Sequence, residues 1–287
     1  MTHQQLFIKA CENGEFNSAK QLYQDNSEEI NIHVSHEYAF RATCREGHFE
    51  IAKWLIQLGK EEGRPIDIHV NDECAFRLSC RNGNFEISKW LIQLGKEEGH
   101  PIDIHARNDD AFQFTCEGGQ LEIAKWLVQI SKDEGQPIDI HADDEIAFRW
   151  SCEYGHFEVA KWLVQLGKEE GRPIDIHADD EGAFCWSCRY GHLQIVKWLI
   201  QLGKEQGQPI DIHARNGVVF RWSYKEGHFE IAKWLIQLGK DVPEFYDGLY
   251  SYQQSHIRKY YKNHRIHNKF NKHKLETVWN HCSMLDI

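Results

Sequence analysis

Residues 47–59 read GHFEIAKWLIQLG, and close copies begin again at Gly83, Gly119, Gly155, Gly191 and Gly227, a spacing of 36 residues each time. Within the first copy Glu50, Lys53, Gln57, Lys60 and Glu61 recur at intervals of three and four, while Ile51, Ala52, Trp54, Leu55, Ile56 and Leu58 fill the positions between. That spacing predicts a helix with one narrow wet stripe. An apolar face so wide needs more than one neighbour, so each such helix is expected to lie between its own partner helix and the adjacent copies. The chain is therefore expected to be a stack whose length follows from the number of copies.

Composition agrees with an ordinary water-soluble chain: 41% of the 287 residues are apolar and 27% are charged. Met1 to Cys11 contains no basic stretch leading into an apolar one, and no run approaches about 18 apolar residues. A cytoplasmic protein without signal peptide or membrane span is expected. Cys11, Cys44, Cys80, Cys116, Cys152 and Cys188 hold one recurring position. Equivalent positions in stacked helices lie roughly 10 Å apart, beyond the roughly 7 Å Cα limit for a disulfide, so these are expected to be buried thiols. The formal charge of −11 is uneven: residues 241–287 hold seven Lys/Arg and five Asp/Glu, leaving 26 against 39, or −13, on the first 240.

In chain order, residues 4–33 read as an N-terminal capping unit in which Gln21 stands where the next copy has Trp54. Residues 34–240 then give six units of acidic loop, helix A, turn and helix B. Helix A follows clusters such as Asn71-Asp72-Glu73 and Asp143-Asp144-Glu145, whose short side chains are expected to cap its free N–H groups. It should stop at the recurring glycine of the turn, in a left-handed conformation. Helix B is expected to continue through Gly59 to Gly63, with Pro65 preventing further helix and Pro-Ile-Asp-Ile-His crossing extended to the next unit.

The helix–turn–helix unit carrying GHFEIAKWLIQLG resembles the ankyrin repeat. That family has a period of about 33 and opens its first helix T-P-L-H-x-A; here the period is 36, and Cys74-Ala75-Phe76-Arg77-Leu78-Ser79 occupy those positions. The dialect DIHxxxxxAFRxxC followed by GHxEIAKWL is similar to that of the ankyrin-repeat proteins of giant amoeba-infecting DNA viruses. The resemblance implies an all-α solenoid of stacked helix–turn–helix repeats, and a concave binding face built from loop tips and the exposed side of helix A.

Two histidine series recur, His33, His69, His105, His141, His177 and His213, and His48, His156, His192 and His228. Metal ligands must sit about 2.0–2.1 Å from one ion, which residues repeated once per stacked unit do not do. Hydrogen bonds to loop backbone are the expected role. Cys185, Cys188 and His192 share one helix end without a group to orient a base, and no P-loop, HExxH, GxSxG or GxGxxG is present. Neither catalysis nor a cofactor is expected.

The loop tips offer Asp72, Glu73, Asp109, Asp110, Asp144, Glu145, Asp180 and Glu181 as an acidic ridge. Helix capping would account for one acid per unit; steering of a basic partner segment would account for the surplus. On the second account, charge reversal at Asp144, Glu145, Asp180 and Glu181 should slow association and leave the fold intact. Trp150, Trp186 and Trp222 recur on helix A where earlier units carry Ala42, Leu78 and Phe114. They are either inter-repeat packing or aromatic anchors for a partner. Tyr154 and Tyr190 fall at a position that varies between units, as a non-uniform contact surface requires.

Between His256 and Lys274 lie seven Lys/Arg, four His, Tyr260 and Tyr261, and no acid. Residues 241–287 read as a C-terminal cap, with anion contact through Arg258, Lys259, Lys262 and Arg265 as the alternative for nucleic acid or membrane. The expected function is a monomeric, non-enzymatic protein–protein interaction scaffold, and a viral factor engaging a host protein.

Overall fold

The computed structural model describes residues 1–238, and within them the chain forms 14 α-helices and no strand. The expected C-terminal cap and the basic residues Arg258, Lys259, Lys262 and Arg265 lie outside the described residues. The first pair is α1 (His3–Glu12) and α2 (Phe16–Asp25), followed by α3 (Val34–Glu46) with α4 (Phe49–Glu61) and α5 (Val70–Arg81) with α6 (Phe85–Glu97). Then come α7 (Ala106–Glu117) with α8 (Leu121–Asp133), α9 (Ala142–Glu153) with α10 (Phe157–Glu169), and α11 (Ala178–Tyr190) with α12 (Leu193–Glu205). The last pair is α13 (Ala214–Lys225) with α14 (Phe229–Leu238). The odd-numbered helices pack side by side along the row, and α1, α3, α5, α7, α9 and α11 each pack against the even-numbered helix that follows. Met1–Leu235 is one compact unit with the architecture of an α-helical solenoid.

The wet stripe of helix B is real: Glu50, Lys53, Gln57, Lys60 and Glu61 are exposed, while Ile51, Ala52, Leu55, Ile56 and Leu58 are buried. The half-buried Trp54 series joins neighbouring units. Trp198 of α12 lies 6.3 Å from Phe148 of α9 and 5.3 Å from Phe157 of α10, ring centroid to ring centroid. Trp90 sits in the same way on Phe40 and Phe49, and Trp126 on Phe76 and Phe85. Each indole thus seats between the two helices of the preceding unit, in tilted or edge geometry that adds about 0.5–1.5 kcal/mol per pair to the burial itself. In α2 the equivalent position, Gln21, is exposed and bonded to Asp25.

Both helix ends close as the glycines predict. After α5 the N–H of Gly83, at φ 81°, donates to Cys80 O and that of Asn84 to Ser79 O. After α4 the N–H of Gly63, at φ 73°, donates to Lys60 O and that of Arg64 to Gly59 O, so helix B does run on past Gly59. These are paired Schellman closures, in which a residue without Cβ adopts the left-handed region at no steric cost. Gly59 has a different reason to be small: a Cβ there would meet Arg64 O at 2.9 Å as the chain turns back. The extra length of the unit is in this helix, 13 residues in α4 against 10 in α2. Ile66 and Ile68 beyond it are buried while Asp67 between them is exposed, the expected alternation.

The recurring cysteines are free and buried, and burial pushes the Cys11 and Cys80 thiols up to about 12. The second histidine series bonds to backbone as expected: His48 Nε2 lies 3.0 Å from Glu12 O and His192 Nε2 2.8 Å from Glu153 O, each in the preceding unit. Burial holds the His156 and His192 imidazoles below their ordinary value, outweighing the carbonyl contact that favours the charged ring. A group depressed in the fold contributes stability that is complete above its unfolded pKa, about 6.5, and is lost as pH falls through the lower folded value. Unfolding free energy should therefore fall as pH drops below about 6.5. The pair His156→Asn and His192→Asn should flatten that fall in denaturant titrations, since Asn84 makes the equivalent bonds to Cys44 O and Arg45 O at 3.0 and 2.6 Å without a proton to gain. An unchanged slope would remove these rings as its source.

Candidate functional site

The acidic loop tips differ from expectation in conformation and in exposure. No side chain caps α5, α7, α9 or α11. Instead three successive residues enter each helix A in the left-handed region, such as Asn71, Asp72 and Glu73 at φ 55°, 55° and 61° and Asp143, Asp144 and Glu145 at 50°, 53° and 62°. Left-handed backbone costs an L-residue roughly 1–2 kcal/mol, least for Asn and Asp with their short polar side chains. The cluster composition answers that demand rather than the need for a helix cap.

Two devices hold the turn. Arg77 donates Nε to Asp72 O (2.7 Å) and NH2 to Asn71 O (2.9 Å), clamping the left-handed carbonyls from within the helix that follows. Arg149 does the same to Asp144 O and Asp143 O, and Gln113 donates to Asn108 O. In α11 Cys185 takes the place of the arginine, and Arg215 of the next unit donates to Asp179 O and Asp180 O instead. The second device is the first histidine series. His69 Nδ1 lies 2.8 Å from Glu73, His105 Nδ1 2.6 Å from Asp109, His141 Nδ1 2.8 Å from Glu145 and His177 Nδ1 2.9 Å from Glu181. These rings therefore pair with carboxylates, not with loop backbone. Glu145 and Glu181 also accept the N–H of Asp175 and Asp211 in the following unit, at 3.1 and 2.9 Å.

The ridge must accordingly be redrawn. Glu73, Glu145 and Glu181 are buried, and Asp109 is half-buried against its histidine. Asp110 is largely buried and pairs with Arg77 and Arg107. Asp72, Asp144 and Asp180 remain exposed. Charge reversal at Glu145 or Glu181 would therefore disturb the fold, contrary to the expectation that it leaves the fold intact. Among the described residues no group of three or more His, Cys, Asp or Glu is placed to hold a metal ion. No helix among them is long and apolar enough to cross a membrane.

The aromatic residues of helix A do converge. Trp150 of α9 stacks on Phe114 of α7 at 6.1 Å and 20° between planes, and Trp186 of α11 stacks on Trp222 of α13 at 5.4 Å and 19°. Tyr154 and Tyr190 stack on each other at 6.5 Å and 14°, and Tyr190 also lies along Trp186. All three tryptophans are half-buried, whereas Tyr154 and Tyr190 are 48% and 47% exposed. The series is thus inter-repeat packing and an exposed ribbon at once. The first units, with Ala42 and Leu78 at the tryptophan position, do not extend it.

Charges line the same position along the row. Arg45 pairs with Glu12 at 2.7 Å and Arg81 with Glu117 at 2.6 Å, each bridging two units. Burial, then the neighbouring Glu117, raises the Glu153 carboxyl above its ordinary value, against the opposing pull of Arg149 and Arg189. The turn-clamping role of Arg77 and Arg149 was not among the expectations from sequence. The signal available was the Arg of AFRxxC, repeated at Arg41, Arg77 and Arg149 and lost at Cys185.

Comparison with protein-family models matches residues 7–101 and again residues 78–180 to a model of ankyrin repeats in three copies. No curated protein matches the sequence.

Proposed function

Since this chain belongs to the ankyrin-repeat family, whose members are in general protein–protein interaction modules, we propose that it is a non-enzymatic scaffold binding a protein partner along helix A of its fourth to sixth 36-residue units. The single observation behind this reading is the ribbon of Trp150, Tyr154, Trp186, Tyr190 and Trp222, of which both tyrosines are nearly half exposed. Trp, Tyr and Arg dominate binding hot spots, and the two aromatics bury large area at small conformational cost. Exposed Asp144 and Asp180 stand at the turn tips of two of the same units. The repeat dialect supports a viral origin, and with it a host protein as the partner.

The test is quantitative affinity capture from host cells with the full chain, a Tyr154→Ala/Tyr190→Ala variant and a Glu50→Ala/Lys53→Ala control on the opposite helix. Proteins retained by the wild type and the control should fall about tenfold or more with the tyrosine variant, as expected of hot-spot truncation. An identical retained set for all three chains would place binding elsewhere.

A further inference from the structure

We propose that Arg189, held between the rings of Trp186, Trp222 and Tyr190, is a carboxylate-binding anchor, and that the partner segment docking on the ribbon is an acidic peptide stretch. The inference rests on the helix A reading above and adds its chemistry. The Arg189 guanidinium lies 5.0 Å from the Trp186 ring centroid, 5.2 Å from Trp222 and 5.7 Å from Tyr190. Those cation–π contacts hold the group in place without using any of its five N–H donors. The equivalent arginines of earlier units, Arg45 and Arg81, are each bonded to a carboxylate of an adjoining unit. Among the described residues Arg189 alone of the three is half-buried with neither an ion pair nor a hydrogen bond.

Neighbouring charge does not remove the opening. Asp179 is taken by Arg149 at 2.8 Å and by Arg215 at 2.9 Å, and Arg215 also approaches Asp180 at 4.0 Å. Glu153 acts on Arg189 only through space. A preorganised, undersatisfied guanidinium fits an Asp or Glu side chain in two parallel hydrogen bonds, and little side-chain entropy is left to lose. Nucleic acid fits less well. The Trp186 ring is already stacked on Trp222 and Tyr190, which leaves ring edges rather than open faces for bases. The basic partner segment expected from the acidic turns is therefore replaced, at this patch, by an acidic one.

A phage-displayed library of random 12-residue peptides, panned on the full chain, tests this. Enriched peptides should be rich in Asp and Glu and should lose about tenfold in affinity, or about 1.4 kcal/mol, with Arg189→Ala. Arg189→Lys, which keeps the charge and loses the fork, should recover little, and Arg189→Glu should reverse the preference; helix content by circular dichroism shows whether each variant is folded. Basic peptides that bind the wild type and are lost with Tyr190→Ala would overturn the chemistry and leave the surface standing. Peptides indifferent to both Arg189→Ala and Tyr190→Ala, or no enrichment at all, would overturn both. Tighter Arg189-dependent binding of a 20-nucleotide oligo-dT would overturn the proposal in favour of nucleic acid.

Discussion

Replacing Phe148 with alanine is expected to cost about 3–5 kcal/mol of unfolding free energy, the range for truncating a large buried aromatic side chain. Phe148 is fully buried in α9 and is also the seat for Trp198 of the following unit. The substitution therefore removes core within one unit and loosens its interface with the next. In a row stabilised by nearest-neighbour interfaces, weakening one in the middle uncouples the two sides. Urea denaturation followed by circular dichroism should show both the loss and a broadened or divided transition. A loss below about 1 kcal/mol would mean that the site collapses around the missing ring.

Glu145→Lys should be comparably damaging. The side chain of Glu145 is 8% exposed, and one of its oxygens takes both His141 Nδ1 and the N–H of Asp175. Lysine would orphan that N–H and place an ammonium beside the imidazole, and breaking a buried pair in this way costs about 3–5 kcal/mol. Asp144→Asn is the contrast. Asp144 is exposed and left-handed, asparagine tolerates the same backbone, and the change should stay within about 0.5 kcal/mol. Equal effects from the two substitutions, in the same urea titration, would contradict the assignment of one carboxylate to the interior and its neighbour to water.

The period of the helices was legible because burial repeats with the backbone. Ile51, Leu55 and Leu58 are inside and Glu50, Lys53 and Gln57 outside for a reason that a single unit already contains. The glycine closures were legible for the same reason: only a residue without Cβ takes φ near 80° freely. The acidic turns were not. Asp143, Asp144 and Glu145 look alike as a run of acids, and what separates them is the twist of a left-handed turn that points Glu145 inward at His141 while Asp143 and Asp144 face water. A pattern of polarity carries no sign of handedness. The shift of the clamp from position 185 to Arg215 was equally hidden, since it links residues of different units through backbone carbonyls. The tryptophans of helix A read ambiguously because both readings hold: each ring is packed against a neighbour and still half open.

That adjacent units are held by rings of one unit seated in the next is tested most directly by the coupling free energy between Phe148 and Trp198. They are 50 positions apart in sequence and 6.3 Å apart between ring centroids. In a double-mutant cycle with Phe148→Leu and Trp198→Leu, the two losses should be less than additive by about 0.5–1.5 kcal/mol. Additivity within about 0.3 kcal/mol would mean that the rings do not meet and that the units are not stacked as described.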